Sequence, residues 1–338
     1  MVISKVQKIM TIKTDFSKNE LSAILEKYDL GELVNSKVFA SGTVQTNILL
    51  QTTKGKFVFR YYRQGRPVES VLFETNLCKY LKDKKYPCPE PFKNIYGKFV
   101  GTYDKKPYVM FEFIKGKHIE KPNKNQKREF IRKVAELQII TEGYKLLYKK
   151  FRFNYDIESC RVTAKKKAKS INTINSKNKL KWHENELSKL NLPKSLPKGI
   201  CHCDFHFTNI LFHNGNFNAL LDFDDANYTF LAFDLICLIE PFSTAFRHNN
   251  WHNYKGDSNV LDFREAKETV EEYVKHRPLN NNEKRHLFDL YKLSILFDCI
   301  WYFERGNVED FFEKRKLDYI DTLGRENFYC KLFGDNNE

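Results

Sequence analysis

The chain has 338 residues, 41% of them hydrophobic and 15% aromatic, and a formal net charge of +14 at pH 7. That composition excludes a disordered chain and is enough for one large domain or two lobes with separate cores. Its longest apolar runs, such as residues 231–239 with Asp234 inside, fall short of the roughly 20 residues that span a bilayer. The opening MVISKVQKIMTIKTD has no apolar core followed by a small-residue cleavage site, which argues against an export signal and for a cytoplasmic protein. The eight cysteines follow no framework spacing, and contexts such as LICLI and FDCIW suit reduced, buried thiols. The positive charge raises the question of a nucleic-acid partner. Residues 161–181 hold eight basic residues and no acid, but no aromatic interleaves them for base stacking and no nucleic-acid motif accompanies them. They are read as a solvated face, with neither nucleic acid nor membrane as partner, and nothing calls for an obligate protein partner.

In chain order, the first hundred residues read as strands around one helix. TNILLQT (46–52) and KFVFRYY (56–62) flank Thr53-Lys54-Gly55, which has the size and chemistry of a hairpin turn. Pro67 suits a first helical position, with Val71, Leu72, Cys78 and Leu81 at helical spacing, and the proline-rich 87–91 stops that helix. Strand-like runs follow at 98–103 and 107–114, the second ending in Lys115-Gly116-Lys117. Then the texture changes. Residues 126–141 read as a helix, the basic stretch as polar and 184–190 as a short amphipathic helix. A hairpin is expected with strands near 209–212 and 217–222, and most of the chain after 231 is helical, including 281–305 and 308–322. The expected architecture is α+β: a β-rich lobe over residues 1–115 and an α-rich lobe over 116–338, joined near residues 112–116.

Residues 199–225, GICHCDFHFTNILFHNGNFNALLDFDD, concentrate the candidate chemistry. Cys201 and Cys203 are separated by one residue, whereas zinc sites usually space paired cysteines by two to four, and no second cysteine pair exists. The thiols are read as packing. His202-x-Asp204 is followed five residues later by Asn209, and then by Asp222 at the end of a second strand. That is the spacing of a kinase catalytic loop and its metal-binding aspartate. Magnesium is a hard cation that prefers carboxylate and amide oxygen, so Asn209 and Asp222 suit it where cysteine does not.

With these elements in place the sequence resembles the aminoglycoside phosphotransferase and choline kinase superfamily, whose loop is typically HGDLHxxN and whose metal aspartate lies in an IDF or IDW strand. Here the loop reads HCDFHFTN, with Cys203 at the usual glycine. The resemblance implies a bilobal protein-kinase-like fold, with ATP and Mg2+ as cofactors and the first lobe binding the nucleotide. Ser41, Gly42 and Thr43 then match the phosphate-covering loop. Arg60 holds the position of the phosphate-binding lysine; it keeps the cation but is not interchangeable with lysine. Glu74 matches the helix glutamate that pairs with this cation. Glu112 and Ile114, in YVMFEFIKGK, lie where backbone groups meet adenine, and Asp234 matches the aspartate that braces the catalytic loop. Residues 277–298 and the segments YDLGELV, TTKGKFVFRYYR and DFDDA look most like the homoserine kinase branch.

The reading is an ATP- and magnesium-dependent kinase acting on the hydroxyl of a small metabolite, with L-homoserine the leading acceptor. Asp204 would orient the hydroxyl and accept its proton, while His202 supports the loop. His206, Asp224 and Asp225 would lie on the substrate side. Choline or ethanolamine, a sugar, an aminoglycoside and a protein serine are alternative acceptors. Arg60 keeps open a non-catalytic, nucleotide-binding relative.

Overall fold

The computed structural model describes residues 13–39, 44–63, 66–119, 121–205, 207–243 and 260–334. Helix α1 (Lys18–Leu25), with a capping box between Ser17 and Glu20, precedes the first strand, so the early chain holds two helices where the sequence suggested one. Strands β1 (Leu33–Val38), β2 (Thr46–Thr52), β3 (Gly55–Tyr61), β4 (Pro91–Phe92), β5 (Val100–Tyr103) and β6 (Lys106–Glu112) form one antiparallel sheet in the order β1-β2-β3-β6-β4, with β5 also paired to β6. Between β3 and β4 runs α2 (Val68–Asp83), which begins one residue later than expected because Pro67 is its cap.

Period-two alternation decides which side chains of the sheet face which layer. Phe59 and Tyr61 turn towards α1 and pack with Leu21, Ile24, Leu25, Tyr108 and Met110. Tyr62, Val109 and Phe111 pack instead with Val71, Phe73, Leu77, Cys78 and Leu81 of α2. Arg60, offset by one from Phe59 and Tyr61, shares the second face. Each fully buried large apolar side chain here stabilises by about 1.5–3 kcal/mol.

After β6 the backbone of Lys117 pairs both ways with Phe212, each bond 2.9 Å. Gly116 makes that approach possible, since a Cβ there would lie 2.9 Å from Leu211 Cβ and 3.1 Å from Phe212 O. The hairpin of β8 (Ile210–His213) and β9 (Asn216–Leu220) is thereby fastened to the segment leaving the sheet.

Helix α3 (Lys124–Ile140) is capped by an Asn123–Gln126 box. The polar stretch is helical, lying in α4 (Ile157–Ile171) and α5 (Ile174–Ser188), and the short helix expected at 184–190 is the last turn of α5. Cys160, Ala164 and Ala168, four residues apart, face the core. Strand β7 (Lys198–Cys201) pairs antiparallel with β10 (Asn227–Phe230), a strand the sequence reading lacked. Helices α6 (Ala232–Ser243), α7 (Phe263–Val274), α8 (Asn281–Trp301), α9 (Phe312–Leu323) and α10 (Arg325–Phe333) complete an α+β protein. Among the described residues no helix is long and apolar enough to cross a membrane.

Candidate active site

β7 delivers the chain to residues 202–205, and a buried carboxylate fixes their course. Asp234, in the first turn of α6 and 0% exposed, accepts the N–H groups of His202 at 3.1 Å and Cys203 at 2.9 Å. Gln138 Nε2 donates to the same carboxylate at 3.2 Å, and the Tyr273 hydroxyl donates to Gln138 Oε1. Burial pushes Asp234 up to about 7, against the pull of these donors. Cys203 takes φ of +65°, in the left-handed region where the superfamily usually has glycine. Cys201 and Cys203 are buried, and Cys201 Sγ donates to the Phe230 carbonyl at 3.4 Å.

His202 is 0% exposed and ties the loop to the strand that precedes Asp222. Its Nδ1 accepts the Asp204 N–H at 3.3 Å and its Nε2 lies 2.9 Å from the Leu221 carbonyl, so one proton, on Nε2, satisfies both bonds. The ring stacks on Phe205 at 4.7 Å. Asn209, closing a 3₁₀ turn over residues 207–209, donates to Asp204 Oδ2 at 2.8 Å and to the Asp204 carbonyl at 2.9 Å. Five residues apart in sequence, the two side chains are in direct contact.

Opposite them Asp222, with φ of +63°, accepts Arg60 Nη2 at 2.6 Å. The same Nη2 lies 3.4 Å from Asp224 Oδ2. Burial works against the Arg60 charge, but Asp222, Glu74 and Asp224 outweigh it and hold the guanidinium protonated. The direct Arg60–Glu74 pair expected from the resemblance is replaced. Glu74, 1% exposed, accepts the Tyr62 hydroxyl at 2.9 Å, and Tyr62 in turn lies under Arg60, 5.4 Å from the guanidinium carbon. Burial pushes Glu74 up to about 7, with Arg60 opposing. Asp224, expected on the substrate side, is 6% exposed: Gln45 Nε2 donates to it at 3.0 Å and Arg66 Nη1 lies at 2.9 Å. Asp225 keeps 35% of its side chain exposed, and burial together with Asp224 pushes its carboxyl up to about 6.

Glu112 closes β6, its carboxylate 2.6 Å from Lys82 of α2, and Ile114 follows half-buried in the segment towards Gly116. Ser41, Gly42, Thr43 and His206 lie outside the described residues. Gln45, Arg66, Gln138 and Arg152 also converge on the site, and none stood out in the sequence. Arg66 and Arg152 reach backbone carbonyls of the turn at 223–226, contacts that no spacing pattern encodes.

The donor chemistry fits a hard divalent cation. Asp222, with 38% of its side chain exposed, and Asn209 offer carboxylate and amide oxygen, while the thiols nearby are turned into the core.

The model of the phosphotransferase enzyme family matches residues 36–268. The chain is 27% identical to the homoserine kinase of Rhizobium meliloti over 274 residues, 80% of this chain and 82% of that protein. It is also 27% identical to the homoserine kinase of Agrobacterium fabrum over 317 residues, 93% and 89% of the two. Its fold is similar to that of a microcompartment-associated aminopropanol kinase, with a TM-score of 0.62 and 15% identity over 94% and 95% of the chains. It is also similar to amicoumacin kinase hAmiN, solved with AMP-PNP, Ca2+ and Ami, with a TM-score of 0.61 and 13% identity over 94% of each chain. These are protein-kinase-like folds. With the family model spanning residues 36–268, and with them most of the sheet and the loop from His202 to Asn209, the chain belongs to the phosphotransferase enzyme family and is a kinase acting on a hydroxyl.

Proposed function

We propose that the chain is an ATP- and magnesium-dependent kinase for a small hydroxyl metabolite, with L-homoserine as acceptor. The observation that carries the reading is the Asn209 amide held 2.8 Å from the Asp204 carboxylate, with Asp222 on the adjoining strand end. Asp204 orients the acceptor hydroxyl and takes its proton. Asn209 and Asp222 would hold magnesium, which would supply charge neutralisation at the phosphates. Arg60, kept charged by its carboxylate neighbours, binds phosphate oxygens, and Glu74 steadies it through Tyr62. Ser41, Gly42 and Thr43 cover the phosphates, while backbone groups at Glu112 and Ile114 meet adenine. His206 and Asp225 are the proposed acceptor contacts, whereas Asp224 anchors its own turn. Catalysis then rests on positioning and charge neutralisation, without a covalent enzyme intermediate. Residues 1–115 act as the nucleotide lobe and 116–338 as the catalytic lobe of a cytoplasmic protein. Support for homoserine comes from the relatives bearing that name, which align with 80% and 93% of the chain.

The test is magnesium-dependent ATP consumption against homoserine, serine, choline, ethanolamine, aminopropanol, a sugar and an aminoglycoside. Homoserine is expected to give the highest kcat/KM, by about tenfold or more, a difference of about 1.4 kcal/mol. A higher value for another compound replaces the acceptor, and no consumption with any favours the non-catalytic relative.

A further inference from the structure

Arg152 follows the 3₁₀ turn Lys149–Phe151, in the connection between α3 and α4. Its guanidinium is spent almost entirely on backbone oxygens. Nη2 donates to the carbonyls of Asp224 and Ala226, both at 2.6 Å, and reaches that of Phe223 at 3.4 Å. Nε donates to Ala226 O at 3.0 Å, while Nη1 donates to the carbonyl and hydroxyl oxygens of Ser70, both at 3.2 Å. Its guanidinium carbon lies 5.0 Å from the Phe73 ring centroid. Ser70 and Phe73 belong to the start of α2, the helix that carries Glu74. One side chain thus joins the turn after Asp222 to the helix behind Arg60.

We infer that Arg152 is a positioning residue that couples α2 to the turn carrying Asp222 and so sets how well Asp222 holds a divalent cation beside the nucleotide. This rests on the role given to Asp222 above. Asp222 sits at φ of +63°, in the left-handed region that a non-glycine residue keeps where its neighbours hold it. The carboxylate of Asp224 is held from the sheet side by Gln45 and Arg66. Arg152 holds the carbonyls of Asp224 and Ala226 in the same turn, sharing the first with Arg66 Nη1 at 2.7 Å, and carbonyl positions are what define a turn. A planar fork with five donors can span residues 224, 226 and 70 together, whereas a lysine ammonium is a point donor and cannot. Arg152 touches neither the proposed metal ligands nor Asp204, so its action is through the turn.

The experiment is calorimetric titration with AMP-PNP, once with Mg2+ and once with EDTA, on the parent, Arg152→Gln and Arg152→Lys, each checked by thermal melting. Supporting groups behind a metal ligand typically govern metal affinity by about 10–100-fold. Both variants are expected to keep the metal-free affinity and to lose about tenfold or more of the gain that Mg2+ confers, without rescue by lysine. Hydrogen exchange is expected to quicken in both residues 223–226 and the first turn of α2. Arg152→Lys keeps the charge and most of the aliphatic stem, so it reports even where Arg152→Gln does not fold. A parental magnesium-dependent gain in Arg152→Lys overturns the inference. So does an equal loss with and without Mg2+, which marks a purely structural arginine. A parent with no magnesium-dependent gain overturns instead the role proposed for Asp222.

Discussion

Two groups of positive charge invite comparison. Residues 161–181 are the densest basic stretch in the sequence, yet on the helical hairpin α4–α5 most of that charge faces water. Lys166, Lys169, Lys177 and Lys181 are exposed, and Arg161, Lys165 and Lys167 make surface ion pairs with Glu158, Glu184 and Glu304. Such pairs are each worth about 0–1 kcal/mol. Arg60, Arg66 and Arg152 are scattered over ninety-odd residues, come from β3 and two connections, and meet on the turn at 222–226. Charge matters energetically where it is desolvated and has its partners fixed, not where it is abundant. Lys179 is a member of the first group in the circumstances of the second. It lies within the dense stretch but is 0% exposed, its ammonium donating to the carbonyls of Phe303 and Arg305 and sitting 4.2 Å from the Phe311 ring centroid. Burial lowers its pKa.

The comparison breaks if losing a convergent charge costs no more than losing an exposed one. The largest effect is expected at Asp204. Asp204→Asn keeps the size and a partner for Asn209 but removes the proposed proton acceptor, so kcat should fall by about 10²–10⁴-fold with melting temperature and nucleotide affinity near parental. Steady-state kinetics beside a thermal melt decide it, and unchanged turnover removes Asp204 from the chemistry.

Arg60 comes next. Arg60→Met leaves Asp222, Asp224 and Glu74 without their shared cation, and a charged hydrogen-bonding partner is worth about 1.5–3 kcal/mol. We therefore expect kcat/KM for ATP at saturating magnesium to drop roughly ten- to a hundredfold, with Arg60→Lys within about threefold of the parent. Parental efficiency in Arg60→Met would make Arg60 an ordinary strand residue.

Lys179 sharpens the contrast from within the stretch. Lys179→Met should destabilise by about 1–3 kcal/mol in urea unfolding, because the buried Phe303 carbonyl and the half-buried Arg305 carbonyl lose their donor, while turnover per folded molecule stays put. Removing three exposed members together, as Lys166→Gln, Lys169→Gln and Lys177→Gln, should change stability by no more than about 0.5 kcal/mol each and leave kcat/KM within about twofold. A catalytic loss in that triple variant, or RNA retardation by the parent that the variant lacks, would show that the dense stretch serves a purpose beyond solvation.

The same distinction explains what was legible beforehand. The hairpin β2–β3 and the loop holding Asp204 and Asn209 are local patterns, a tight turn between alternating strands and a fixed spacing, and both stood out. Helix α4 and the earlier turns of α5 did not, because the face α4 buries is built from Cys160, Ala164 and Ala168, too small to show a strong apolar period among lysines. Strand β10 gains its meaning only from pairing with β7, some thirty residues earlier. Arg66 and Arg152 act on backbone carbonyls, which every residue has, so no pattern of side chains announces them. The Arg60–Glu74 pair failed as a direct contact because Tyr62, two residues along and just past the end of β3, places its hydroxyl against the carboxylate.

Cys203 bears on how this sequence can change. A cysteine codon and a glycine codon differ by one base, so the superfamily's usual residue is a single mutation away. The left-handed backbone at Cys203 costs roughly 1–2 kcal/mol relative to glycine, while burying its thiol and methylene recovers on the order of 1 kcal/mol. The two nearly cancel. Cys203→Gly, one base away and beside the aspartate proposed as catalytic, is therefore expected to leave stability within about 1 kcal/mol of the parent.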